Sequence, residues 1–269
     1  MATVNVNTWD EFVSAVGVAG DTVVLPEGDL EWDMNEILPY GLTQDVTIAC
    51  HMIEGNNFRI KNLNLNNYKF MYSGQDIKYF RNLKCTDWIG TNVFFYLRFG
   101  SDFYCCTISG ITSNASIIDC SNTYSYSRCD MLSCSINVES SSNLFTLGTS
   151  VVDLRYCRVE IHAPNSTRTD CVGSPIFCEL VLYLPNVNDT FYSYKFKGCT
   201  LRGNMPNITS DYRTWGGWDG HPTVFLEETF PVAFETNYPD YFIKCTESEF
   251  KDAAFLRSKG FPIIVDGGG

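Results

Sequence analysis

The chain is poor in the residues that usually announce a chemistry. It has only three histidines, His51, His162 and His221, scattered along its length, and no C-x-x-C pair. A zinc site is therefore not expected to organise it. Basic residues are outnumbered, 19 Lys and Arg against 31 Asp and Glu, for a net charge of −12. That balance repels polyphosphate and argues against nucleic acid as a partner. No apolar run reaches the roughly 18 residues of a membrane span. The start, MATVNVNTWDEF, has neither a basic nor an apolar leader segment, so no signal peptide is expected. Carboxylates between positions 45 and 200 never crowd as D-D or D-x-D. No metal and no cofactor is expected. Ala and Lys are sparse, which leaves little of the chain to helices.

What is abundant points to strands. Hydrophobic residues make up 45% of the sequence, enough for a sizeable core, and include 19 Phe and 15 Tyr. Val, Ile, Thr and Tyr favour strands, while Asn, Ser and Asp favour turns. Twelve cysteines are present, and several lead a strand-like run after an apolar or aromatic residue. Examples are Asn82-Leu83-Lys84-Cys85, Tyr104-Cys105-Cys106, Leu154-Arg155-Tyr156-Cys157 and Ile176-Phe177-Cys178. The steps Leu65 to Cys85, Cys85 to Cys106, Cys157 to Cys178 and Cys178 to Cys199 are nearly equal. A repeat of about 20–25 residues, the range in which these steps fall, marks a solenoid. Equivalent residues of stacked coils lie above one another, about 4.8 Å apart. The cysteines are therefore read as free, buried, stacked thiols rather than disulfides.

Residues 1–44 read as an N-terminal cap. Thr8 and Glu11 form a capping box, and Trp9, Phe12, Val13 and Val16 share one helical face. A strand over 21–25 follows. Residues 45–201 form the body, with strand candidates that include 58–65, 77–85, 103–108, 131–138, 151–161 and 177–184. The steps Cys106 to Cys129 and Cys134 to Cys157 are equal to each other and slightly longer than the rest. They place an enlarged turn at Ser121–Ser127 or at Glu139–Asn143. Residues 202–240 read as a long aromatic loop. Residues 241–269 supply a last rung and a capping helix opened by Thr246 and Glu249. The expected fold is all-β: a single-stranded right-handed parallel β-helix of about 21–23 residues per coil, with short capping helices at both ends.

The capping helix with Trp9, Glu11 and Phe12, the strand and turn with Gly20, Asp21, Val23, Leu25, Pro26 and Gly28, and the Asn-Leu rungs at 62–65 and 82–85 resemble right-handed parallel β-helix proteins of the pectate-lyase type. The resemblance covers roughly positions 5–200 and implies architecture; lyases, hydrolases, adhesins and viral tailspikes share it. The ending Lys251–Ile263 resembles endings of phage-encoded or prophage-encoded structural proteins. Together the resemblances imply a non-enzymatic virion component, such as a tail, fibre or capsid-surface protein, assembled in the bacterial cytoplasm as a homo-oligomer, with a trimer favoured. Other virion proteins are expected partners, and a host glycan is an expected ligand.

Two alternatives stand beside it: a polysaccharide lyase or glycoside hydrolase of the tailspike depolymerase kind, and a bacterial adhesin-like solenoid. Catalysis would require paired carboxylates or a base beside an acid. Asp130, Asp153 and Glu179 follow one another at close to one coil length, so stacked carboxylates are candidates. Glu160 and His162, two apart on a strand, share a face. The strongest binding candidates sit in the aromatic loop: Arg213, Trp215, Trp218, Asp219 and His221. Exposed Trp can stack on a sugar or anchor a partner.

Overall fold

A computed structural model describes residues 2–28, 30–72, 76–97, 100–113, 115, 117–119, 128–140, 145–146, 151–165, 174–186, 190–192, 199–204, 209–211, 223–226 and 242–259. Among these residues every strand pairing is parallel, and the strands stack into a β-solenoid of about seven turns. The first sheet includes Thr22–Val24, Met52–Glu54, Lys78–Arg81, Gly100–Tyr104, Arg128–Leu132, Val151–Arg155 and Ser174–Ile176. The second includes Arg59–Lys61, Lys84–Thr86, Thr107–Ser113, Ser135–Ser140, Arg158–His162, Glu179–Tyr183 and Thr200–Asn204. A third, shorter sheet carries Phe70–Tyr72, Phe95–Leu97 and Ile118–Asp119.

The expected long strands are in fact pairs of strands from different sheets. The runs 77–85, 103–108, 131–138 and 151–161 each break at a left-handed residue: Asn82 (φ 50°), Cys105 (53°), Ser133 (54°) and Tyr156 (55°). Phe177 (φ 54°) turns the next coil in the same way. A single left-handed residue swings the chain from the first sheet to the second. Asn tolerates this conformation; for an aromatic residue it costs on the order of 1–2 kcal/mol.

The turn takes the chain out of the first sheet's ladder, and the backbone groups at the corner find partners in the following coil. The corner N–H itself is served: Cys105 N donates to Leu132 O at 2.9 Å and Ser133 N to Arg155 O at 2.9 Å. The next N–H lies beyond the first sheet's ladder and, in the later coils, goes to a thiol instead. That thiol belongs to the following coil and also lies near the carbonyl two positions before the corner. Cys157 Sγ accepts from Cys134 N at 3.4 Å and lies 3.3 Å from both Met131 O and Arg155 O, which share its single proton. Cys178 Sγ accepts from Cys157 N at 3.4 Å and contacts Leu154 O at 3.5 Å. Cys106, Cys134 and Cys199 reach Phe80 O, Phe103 O and Pro175 O in turn. In the earlier coils Asn56 Nδ2 donates to the backbone at Leu25 O at 2.8 Å, while Asn82 Nδ2 donates to the Glu54 carboxylate at 2.9 Å. All the described cysteines are free, and all but Cys105 are buried. Burial pushes the Cys85 and Cys178 thiols well above their usual range, so they stay protonated donors at neutral pH.

The ladder is therefore Cys106, Cys134, Cys157, Cys178 and Cys199, and this corrects the expected register. Thr107 pairs with Ser135, Ser135 with Arg158, Arg158 with Glu179 and Glu179 with Thr200. The first of these coils is the longest and the last two are equal. Cys85 lies inside the second sheet opposite Ile108, and Cys129 inside the first opposite Ser101. Neither is a corner residue. The chain passes from Phe95 to Gly100 in one coil and from Ile118 to Arg128 in the next, twice the distance, while their strands stay paired in register. The extra residues of the longer coil therefore fall between Ile118 and Arg128, and the turn expected at 121–127 lies outside the described residues.

Aromatic rings fill the interior. Phe80 and Phe103 stack at 4.5 Å between centroids, and Phe70 stacks on Phe95 at 5.5 Å. Each buried ring contributes roughly 1.5–3 kcal/mol. The N-terminal helix, Trp9–Val16, has the expected capping box and buries Trp9, Phe12, Ala15 and Val16. Trp9 meets Trp32 and Phe70 edge-on at 6.1 and 6.5 Å, which lays the helix over the end of the stack. At the C-terminus Thr246 and Glu249 form the second capping box. The expected single helix is two, Glu247–Lys251 and Ala253–Ser258. Asp252 leaves the helical region at ψ 103° and caps the second helix by accepting from Ala254 N and Phe255 N.

Replacing Cys157 by Val keeps an apolar group of similar size but removes both bonds to the coil below. Urea unfolding should show a loss of about 1–3 kcal/mol for Cys157→Val. A variant as stable as the parent protein would show that the thiol acts by volume alone.

Candidate functional site

Arg213, Trp215, Trp218, Asp219 and His221 all lie outside the described residues. The described surface offers two other faces, both set by the register of the stack.

The outer face of the second sheet carries three rows across adjacent strands. Ser135, Arg158, Glu179 and Thr200 form the first; Asn137, Glu160, Val181 and Arg202 the second; Glu139, His162, Tyr183 and Asn204 the third. Alternation along each strand sends these residues outward, while Ile136, Val159, Leu180 and Leu201 fill the core. Glu179 bridges two cations, with Arg158 Nε at 3.7 Å and Arg202 Nη2 at 3.7 Å. Arg202 Nε is buried and has no hydrogen-bond partner, a donor left unused. Glu160 accepts from Asn137 Nδ2 at 3.3 Å and lies 3.1 Å from His162 Nε2. The His162 ring stacks on Tyr183 with centroids 4.2 Å apart, and Tyr183 is 40% exposed. Donors, acceptors and an exposed ring thus share one face.

The outer face of the first sheet carries a carboxylate column. Tyr79, Asp102, Asp130 and Asp153 follow one another in register. Tyr104 Oη donates to Asp102 Oδ2 at 3.2 Å, and Arg155 Nη2 reaches Asp153 Oδ2 at 3.5 Å. Partial burial pushes the Tyr104 phenol above its usual range, and the charges of Asp102 and Asp130 add to this. The stacking of Asp130 on Asp153 matches the expectation. Glu179 belongs to the other sheet and does not stack with them. Among the described residues, no three His, Cys, Asp or Glu side chains converge in a metal-binding arrangement.

Reading along single strands singled out Glu160 and His162, and the geometry brings them together. It missed Asn137, Arg158, Tyr183 and Arg202. Their signal is the coil length: Tyr183 lies one coil after His162 and is its register partner.

No protein-family model, curated protein or solved structure matches this chain.

Because its folded-state value is raised, Tyr104 contributes stability that is full below the ordinary phenol range and lost as pH rises through the folded value. Asp102→Asn removes the nearer charge and should move the Tyr104 phenolate transition to lower pH, read by carbon NMR of the tyrosine rings. An unmoved transition would show that Asp102 has no part in the shift.

Proposed function

We propose that this chain is a non-enzymatic structural component of a phage or prophage virion, a tail, fibre or capsid-surface protein that displays a glycan-binding face on its solenoid. The observation that carries the reading is the outer face of the second sheet. Asn137, Arg158, His162 and Arg202 offer donors, Glu160 and Glu179 offer acceptors, and the Tyr183 ring offers an apolar platform. This is the mixture that recognises sugar hydroxyls and the apolar face of a pyranose. The carboxylates of this face already serve as acceptors for neighbouring donors, which suits fixed recognition. Two further features support the virion setting: the resemblance of the Lys251–Ile263 ending to phage structural proteins, and a ladder of free thiols, which fits assembly in a reducing compartment. A parallel stack is also a natural unit for a trimer, which light scattering would report as three times the 30.4 kDa chain.

A second reading, a glycoside hydrolase or polysaccharide lyase, is favoured by one contact. Glu160 and His162, 3.1 Å apart, have the separation of a proton-transfer pair.

Calorimetry against a panel of neutral and acidic oligosaccharides tests both. The first reading predicts binding without release of reducing ends or unsaturated sugars, and a loss of affinity of about tenfold in Tyr183→Ala. Sugar release that disappears in His162→Ala would establish the second reading. No binding to any sugar would end the glycan part of the proposal.

A further inference from the structure

We propose that the corner formed by Tyr156 and Phe177 is a second sugar-stacking subsite, one that takes the apolar face of a single hexopyranose. It rests on the glycan reading above but on a different surface, the ridge between the first and second sheets. The same corner is held by Asn82, Cys105 and Ser133 in the earlier coils, and the sequence places Gly198 before Cys199 in the next. Small or polar residues therefore suffice to turn the chain here. Tyr156 and Phe177 nonetheless adopt φ 55° and 54°, a conformation that bulky side chains rarely occupy. Strain of this kind, kept where a smaller residue would serve the fold, is the mark of a functional position.

The geometry fits a stacking site. The two rings stack with centroids 5.6 Å apart and planes 23° from parallel. Tyr156 is 51% exposed. The corner of the preceding coil holds the small Ser133. Polar groups flank the ridge on both sides. Arg155, bonded to Asp153 at 3.5 Å, precedes the corner, and Arg158, 3.7 Å from Glu179, follows it. A pyranose on the Tyr156 ring would present its equatorial hydroxyls to these arginine and carboxylate groups.

The test is the double variant Tyr156→Asn, Phe177→Asn, which places at both corners the residue that Asn82 already supplies. It is compared with the parent protein and with Tyr183→Ala on the same oligosaccharide panel by calorimetry, with thermal unfolding alongside. The proposal predicts a melting temperature equal to or above that of the parent. It also predicts affinity for a bound sugar lowered by about tenfold or more. A melting temperature several degrees lower would assign the rings a structural role and overturn the proposal. Unchanged affinity in the double variant, with loss in Tyr183→Ala, would overturn the corner subsite alone and leave the second-sheet face standing. A parent protein that binds no sugar on the panel overturns both.

Discussion

The described coils turn sharply between two parallel sheets, and the N–H that follows the corner leaves the first sheet's ladder and must find another partner in the interior. An unsatisfied buried backbone group costs about 1–3 kcal/mol, so a stack of such corners would not survive uncorrected. The correction comes from the next coil. A cysteine there is small enough to point inward, accepts weakly from that N–H and donates its one proton weakly to a nearby carbonyl. Cys157 does this for Cys134 N, with Met131 O and Arg155 O both within reach of its proton. The cysteines gain their regular placement from this duty.

The outline of the fold was legible because stacking repeats a chemical need at every coil. The capping boxes at Thr8 and Thr246 were legible because they use local side-chain bonds with fixed spacing. The corners were not. A left-handed residue is usually announced by glycine, and here the positions hold Asn, Cys, Ser, Tyr and Phe, so strands of two sheets read as one. The trace that remains is a step of three between inward residues where a strand would give two: Phe80 and Leu83, Phe103 and Cys106, Met131 and Cys134, Leu154 and Cys157. Cys85 and Cys129 misled the register because they are also inward and buried, and chemistry alone does not distinguish a sheet position from a corner.

The outward faces follow from the same constraint. Once the corners lock the register, every outward residue meets the residue one coil away, whatever the coil length. A short coil separates His162 from Tyr183 and a longer one separates Asp102 from Asp130, yet both pairs sit side by side. Surface chemistry is thereby assembled from distant sequence, which is why Arg158 and Arg202 gave no sign of belonging together until Glu179 joined them. The corners also project outward, and at Tyr156 and Phe177 the projecting residue is larger than the turn requires.

The most direct measurement is alkylation of the native protein followed by peptide mass mapping. Cys105 and Cys106 are neighbours, one turned out by the corner and one turned into the ladder. The account predicts rapid modification of Cys105, with Cys106, Cys134, Cys157, Cys178 and Cys199 unmodified until the protein unfolds and none of them in a disulfide. Equal labelling of Cys105 and Cys106, or a disulfide between ladder cysteines, would contradict it.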